Sequence, residues 1–179
     1  ERKDFMMHLI RLATVTIALA ACQDQPVRST GPVTPPPPEQ GVAAFVSVDR
    51  LDAPVGAVVR VRVEVQVGTQ QDFKLGSYTG RLHFDPAQLQ LQQENPISDG
   101  LRIANPANAA KGEIRFAGAS AAGFTTLVLY DASFTVKSAN YASGLSLVME
   151  EMSAAKSLTN LRPTLNVSRQ IFLSRVAEH

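Results

Sequence analysis

The stretch that decides the fold is Val59-Arg60-Val61-Arg62-Val63-Glu64-Val65-Gln66-Val67. Valine occupies every second position, and charged or amide side chains occupy the positions between. Because successive side chains of a strand point to opposite faces of a sheet, the valines share one face and the polar groups share the other. β-Branched residues with period two are typical of a strand with one buried face.

Shorter apolar segments on both sides of this stretch carry the same signal. We predict further strands at 45–48, 76–84, 101–104, 113–117, 126–136, 145–149 and 164–173. Asp85 and Pro86 predict a turn or a single helical turn, because Asp caps a helix and Pro suits its first position. Many short strands without a long amphipathic helix indicate an all-β fold, an antiparallel β-sandwich.

Several segments of this region resemble cohesin-like domains, and the similarity extends over residues 43–173. The run Gly80-Arg-Leu-His-Phe-Asp-Pro-Ala-Gln-Leu89 is similar to their Phe-Asp-Pro-x-x-Leu segment. Ile114 to Ser120 is similar to their strand before a glycine loop, and Leu127 to Val136 resembles their strand that ends in Phe-x-Val. The resemblance implies a sandwich of about nine strands with jelly-roll topology over residues 42–179. It also implies a protein partner that binds through one sheet face.

The beginning of the chain has the pattern of an export signal. Arg2, Lys3 and Arg11 precede or flank an apolar run at 12–21, which is shorter than the roughly 20 residues of a transmembrane helix. The end of this run, Leu19-Ala20-Ala21-Cys22, resembles the lipobox of bacterial lipoproteins. The resemblance implies a covalent lipid on Cys22 and cleavage before it. Residues 1–21 are therefore predicted to be a signal peptide or, if retained, a membrane anchor.

Residues 22–41 are predicted to be the lipidated cysteine and a proline-rich linker. They show no apolar periodicity and contain four consecutive prolines at 35–38. Consecutive prolines favour the extended polyproline II conformation, which rises about 3.1 Å per residue and acts as a semi-rigid spacer. A ligand for a proline-reading domain is the alternative to a spacer.

The residue types needed for catalysis are scarce. The only histidine between the signal and the last residue is His83, predicted on the polar side of its strand, and the single cysteine is assigned to the lipid. Glu150 and Glu151 are adjacent, so a regular strand would point them to opposite faces. No zinc, EF-hand or phosphate-binding motif is present. We therefore expect neither an enzyme nor a cofactor nor a metal site, and the lipid is the only expected attached group.

Charge and aromatic content argue against two classes of ligand. The chain has 17 basic and 16 acidic residues, of which three and two lie in 1–21, so the remainder carries 14 of each. A formally neutral domain lacks the positive surface that binds nucleic acid. The absence of Trp, with only three tyrosines, gives little support to carbohydrate binding.

These observations predict a non-enzymatic, lipid-anchored, membrane-extrinsic interaction module on the periplasmic side of a bacterial cell envelope, in the inner or the outer membrane. Its partners are expected to be protein subunits, with membrane proteins foremost. The partner-binding candidates are the polar face of the valine strand, Arg60, Arg62, Glu64 and Gln66, and the loop aromatic Phe73, which could instead fold over the sandwich edge.

Three roles fit this description. The first is an accessory subunit that stabilises a large membrane complex, of which a photosynthetic reaction centre with its antenna is one example. The second is a cohesin-type adhesion or scaffold lipoprotein that captures a secreted partner. The third is a carbohydrate-binding module.

Overall fold

The computed structural model describes residue 31 and residues 33–174. The predicted signal, Cys22 and the first part of the predicted linker lie outside the described residues. In residues 33–174 the chain forms nine strands: β1 (Val42–Val48), β2 (Val58–Val67), β3 (Leu75–His83), β4 (Leu89–Glu94), β5 (Leu101–Asn105), β6 (Glu113–Ala119), β7 (Val128–Val136), β8 (Ser146–Ala154) and β9 (Leu165–Leu173). Its helical segments are short 3₁₀ turns at Ala109–Lys111, Tyr141–Gly144 and Arg162–Thr164.

The strands form two sheets that pack into a β-sandwich, which confirms the predicted fold class. One sheet has the order β4-β7-β2-β1-β9 and the other has the order β5-β6-β3-β8. Neighbouring strands are antiparallel except β1 and β9, which pair in parallel. This parallel pair joins the first strand to the last, so no hairpin constrains its direction.

The core lies between the two sheets and is built as the alternation of β2 predicts. Val59, Val61, Val63 and Val65 are at most 2% exposed, and β7 contributes the fully buried Phe134 opposite Val59. The four-stranded sheet supplies Leu82, Ile114 and Phe116, which are also almost completely buried. Roughly 1.5–3 kcal/mol per buried side chain of this size makes the core the main stabilising contribution.

Two local features differ from the sequence-based expectations. Strand β4 was not predicted, because Leu89-Gln-Leu-Gln-Gln-Glu94 has little apolar alternation and lies at the edge of its sheet. In β8 the pairing with β3 shifts by one residue, so that Thr79 lies opposite Glu151 and Gly80 lies opposite Met149. This β-bulge brings Glu150 and Glu151 to the same outward side. The expectation that they point to opposite faces is therefore wrong.

The final part of the predicted linker lies on the sandwich. Val33 makes a parallel bridge to Leu173 at the free edge of β9, and the Pro35 carbonyl accepts a hydrogen bond of 2.8 Å from Gln66 Nε2. The Pro38 carbonyl accepts a hydrogen bond of 3.1 Å from the Thr69 amide. Residues 33–38, here called the proline strap, thus run across the outside of the five-stranded sheet before β1 begins.

A second apolar cluster lies outside the main core, on the same face of the sandwich as the proline strap. Phe45 lies opposite the polar Glu64 and so points outward, yet it is only 1% exposed. Its ring meets that of Phe172 edge-on, with centroids 5.4 Å apart. Without cover, two aromatic rings on an outer face would be exposed to water. The proline strap and these rings therefore close part of this face.

Candidate functional site

The outward side chains of β1, β2 and β7 form the five-stranded face, which contains all four predicted strand residues. Asp131 is its centre and is only 5% exposed. Arg60 donates to both carboxylate oxygens, with Nη2 2.7 Å from Oδ2, and Arg62 Nε lies 3.1 Å from the same oxygen. The hydrogen bond to Asp131 raises the pKa of Arg60 above its ordinary value. The two arginines are thus committed to an internal carboxylate.

The remaining two strand candidates are engaged as well. The Ser47 hydroxyl donates to the Glu64 carboxylate, and Gln66 donates to the proline strap. Thr34–Pro37 line one groove together with Arg62, Glu64 and Gln66. The structure therefore brings the four predicted side chains together on one face. Each makes at least one hydrogen bond within the chain, although Gln66 Oε1 has no partner among the described residues. Partner binding by these residues stays a prediction.

Phe73, the fifth candidate, lies in the β2–β3 loop. Its ring is partly buried and packs against the edge of the hydrophobic core. Packing of this ring on the sandwich agrees with the second of the two expectations, and partner binding by Phe73 stays a prediction.

The outward residues of β5, β6, β3 and β8 form the four-stranded face, which has a different character. Its middle consists of small side chains: Ser77, Thr79, Ala117 and Ala119. Along one edge Leu101 and Ile103 are 70% and 66% exposed, and on β8 Val148 is 46% exposed. Large aliphatic side chains grouped on one flat face are typical of an interaction surface, whereas single exposed ones are common anywhere.

The outward position of Leu101 and Ile103 follows from the residue between them. Arg102 points into the sandwich with its side chain only 10% exposed. Its Nη1 donates to the Tyr78 hydroxyl at 2.7 Å and to the Val128 carbonyl at 2.6 Å, and its guanidinium lies 4.4 Å from the centre of the Phe124 ring. A one-residue slip would exchange the two faces of β5, so these contacts fix a register that leaves the aliphatic residues in water.

The other half of the four-stranded face carries charges. Glu150 accepts hydrogen bonds from Arg81 Nε at 2.7 Å and from Arg115 Nη2 at 3.2 Å. The hydrogen bond from Arg81, followed by that from Arg115, lowers the pKa of Glu150 below its ordinary value. Glu113 Oε2 lies 3.6 Å from Arg81 Nη1 and 3.9 Å from His83 Nδ1. These ion pairs lie at the solvent-accessible surface of this half of the face.

The described residues contain neither a metal-binding cluster nor an exposed tyrosine ring. Residues 33–174 contain no cluster of three or more His, Cys, Asp or Glu side chains with metal-binding geometry. His83 is 38% exposed at its strand position, as the alternation predicted. Tyr78, Tyr130 and Tyr141 are all buried to 4% exposure or less, so none offers a ring for a sugar to stack on. Within the same residues no helix has the length and apolar character needed to cross a bilayer.

Comparison with known proteins gives matches at the level of structure. No protein-family model and no curated protein sequence matches the chain. A type II cohesin module from the ScaA scaffoldin of Acetivibrio cellulolyticus superimposes with a TM-score of 0.51 at 14% identity, covering 73% of this chain and 94% of that one. The chain has a cohesin-like fold.

Two further matches come from structures of complexes. One is a type I cohesin–dockerin complex from Clostridium thermocellum, with a TM-score of 0.52 and 12% identity over 75% of this chain and 94% of that one. The other is a type II cohesin–X-dockerin complex from Acetivibrio cellulolyticus, with a TM-score of 0.50 and 13% identity over 75% and 99%. Identities this low establish the fold, and the partner of this chain has to be argued from its own surface.

Proposed function

We propose that this chain is a non-enzymatic docking module that binds another protein through its four-stranded face. The observation that carries the proposal is the exposed aliphatic pair Leu101 and Ile103, held outward by the buried contacts of Arg102. Exposing two large aliphatic residues has an unfavourable hydration free energy, which a partner surface removes on binding. The small residues beside them allow the close approach of a second backbone.

The five-stranded face supports the choice of the four-stranded face, because less of its surface is free to bind a partner. On the five-stranded face the proline strap, Phe45 and the ion pairs of Asp131 cover much of the surface by contacts within the chain. The solved structures of similar fold also favour a protein partner, because two of them are complexes with dockerins. A protein partner therefore fits both the surface and the fold.

We further propose that the module is attached to a bacterial membrane through a lipid on Cys22, on the periplasmic side of the envelope. The support is the sequence Leu19-Ala20-Ala21-Cys22 and the basic and apolar segments before it. The nine-residue step from Cys22 to Gly31 spans at most about 30 Å. A domain so close to the bilayer is suited to contact other membrane proteins, which favours an accessory subunit of a membrane complex. Capture of a secreted protein is the second candidate, because the fold is that of cohesins.

The docking proposal is tested by paired aspartate substitutions. Leu101→Asp is expected to weaken partner binding by about 30-fold or more, because a charge in a buried anchor position costs roughly 2 kcal/mol or more. Val55→Asp is the matched control, because Val55 is 67% exposed in the β1–β2 loop, away from both faces. Binding is measured by surface plasmon resonance against partner eluted with the native protein. Equal affinities for the two variants would remove the four-stranded face as the docking surface.

The lipid proposal needs a separate measurement. Intact-mass spectrometry of protein from native membranes is expected to show a chain that begins at Cys22 with added acyl mass. Cys22→Ser should be unmodified and should leave the membrane fraction. An unmodified wild-type chain in the soluble fraction would contradict the anchor and would leave the docking face untouched.

A further inference from the structure

A cleft of about 360 Å³ opens beside the four-stranded face, between β5, β7 and the β4–β5 connection. Ile97, Ile103 and Leu129 form its apolar walls, while Glu94 and Tyr130 also line it. Ile103 connects the two surfaces, because it is part of the cleft lining and its 66% exposed side chain lies on the four-stranded face. A partner seated on that face would therefore pass the mouth of the cleft.

The Tyr130 hydroxyl is the unusual group of the cleft. Tyr130 is 4% exposed and stacks on Phe116, and its hydroxyl has no hydrogen-bond partner among the described residues. Leaving a buried hydroxyl unpaired costs about 1–3 kcal/mol. By contrast, the Tyr78 hydroxyl a short distance away is fully used, since it donates to the Leu129 carbonyl and accepts from Arg102. The cleft thus contains one polar atom that a ligand can satisfy.

Glu94 supplies the charge of the cleft. Its carboxylate forms no ion pair within the described residues, and partial burial raises its pKa above the ordinary value. The other charged groups of the lining are compensated: Asp131 contacts Arg60 and Arg62, and Arg102 lies 3.8 Å from Asp99. The net unpaired charge of the cleft is therefore negative and lies near the Tyr130 hydroxyl. Burial is the main reason why the pKa of Tyr130 is raised, and the charge of Glu94 is the second.

We propose that this cleft accepts a lysine side chain of the docked partner. The methylene stem would pack on Ile97, Ala104 and Leu129, and the ammonium group would donate to the Glu94 carboxylate and the Tyr130 oxygen. An ammonium has three donors and a stem of four carbons, which suits an apolar entrance with two acceptors at its end. A carboxylate would be repelled by Glu94, and a purely apolar side chain would leave the buried Tyr130 hydroxyl unpaired. The inference rests on the proposed docking function, because it assigns the chemistry of the partner's anchor.

The test uses n-pentylammonium as a probe for the lysine side chain, with pentan-1-ol as its neutral counterpart. Methyl NMR of the full chain is expected to show saturable shifts at Ile97 and Leu129 with the amine, in the millimolar range. Pentan-1-ol is expected to bind about tenfold more weakly, and Glu94→Gln should weaken the amine by a similar factor. Tyr130→Phe retains the ring and should also weaken the amine.

A control variant separates this inference from the docking proposal. Leu101→Ser alters the four-stranded face outside the cleft lining and should leave amine binding unchanged. Equal affinity for amine and alcohol, or an unchanged affinity in Glu94→Gln, would overturn the lysine assignment. The amine readout needs no partner protein, so a failure of docking and a failure of the cleft give different results.

Discussion

Alternating side chains form both outer faces of this sandwich, but the two faces differ in how far contacts within the chain cover them. On the five-stranded face polar side chains point outward, and Asp131, the proline strap and the Phe45–Phe172 pair satisfy that face from within the chain. On the four-stranded face β5 is inverted, with Arg102 inside and Leu101 and Ile103 outside. One face is closed by internal contacts and the other is left open.

The difference shows that polar composition alone does not mark a binding surface. Arg60 and Arg62 have the residue types of a recognition patch, but both also donate to a buried carboxylate of their own chain. The four-stranded face is recognised instead by aliphatic side chains that stay in contact with water, although burying them would stabilise the protein. What holds them there is a buried polar network around Arg102.

The largest effect is expected from removing Arg102. Arg102→Ala leaves the Val128 carbonyl without its donor and exposes the Phe124 ring, so we expect a loss of roughly 3–5 kcal/mol in the free energy of unfolding. Urea denaturation measures this loss. Arg162→Ala, at an exposed position, is the control and should change the stability by less than about 0.5 kcal/mol. A similarly small change in Arg102→Ala would show that its contacts do not hold β5.

Removal of the carboxylate at the centre of the closed face ranks second. Asp131→Ala leaves Arg60 and Arg62 without their shared acceptor, and we expect a loss of about 3 kcal/mol, since Arg60 remains 45% exposed and can turn to water. Chemical denaturation is again the measurement, with the exposed Asp52→Ala as control. If partner affinity also fell while the fold was retained, the closed face would take part in docking.

A smaller effect is expected at the strap. Gln66→Ala removes the hydrogen bond to the Pro35 carbonyl, which corresponds to about 1 kcal/mol. Hydrogen exchange should become faster at the Thr69 and Gln70 amides, which donate to the Pro38 and Glu39 carbonyls. Unchanged exchange at these two amides would mean that the strap is held by the remaining contacts alone.

The smallest effect concerns acid pH. The Thr126 amide, followed by Thr125, donates to Asp99 and lowers its pKa below the ordinary 3.8. A carboxyl group whose pKa is lower in the folded state than in the unfolded state stabilises the protein fully above its pKa in the unfolded state. This contribution is lost as the pH falls through its pKa in the folded state. The melting-temperature difference between wild type and Asp99→Asn should therefore shrink below about pH 4. A constant difference from pH 6 to pH 2 would contradict this role.

The sequence predicts the sandwich because β2, β3 and β7 alternate clearly, and it predicts the outward position of His83 for the same reason. It does not predict β4, since an edge strand buries few side chains and needs little apolar pattern. The orientation of β5 depends on contacts of Arg102 with Tyr78 and β7, which are distant in sequence. For the same reason polyproline II propensity indicates an extended segment at 33–38 but not the sheet on which it lies.

The most direct test of the open and closed faces is site-specific photo-crosslinking in native membranes. p-Benzoylphenylalanine placed at Ile103 reports on the four-stranded face, and the same residue at Arg62 reports on the five-stranded face. We predict a single covalent adduct with one partner protein from position 103 and none from position 62. An adduct from position 62 without one from position 103 would contradict the assignment of the docking surface.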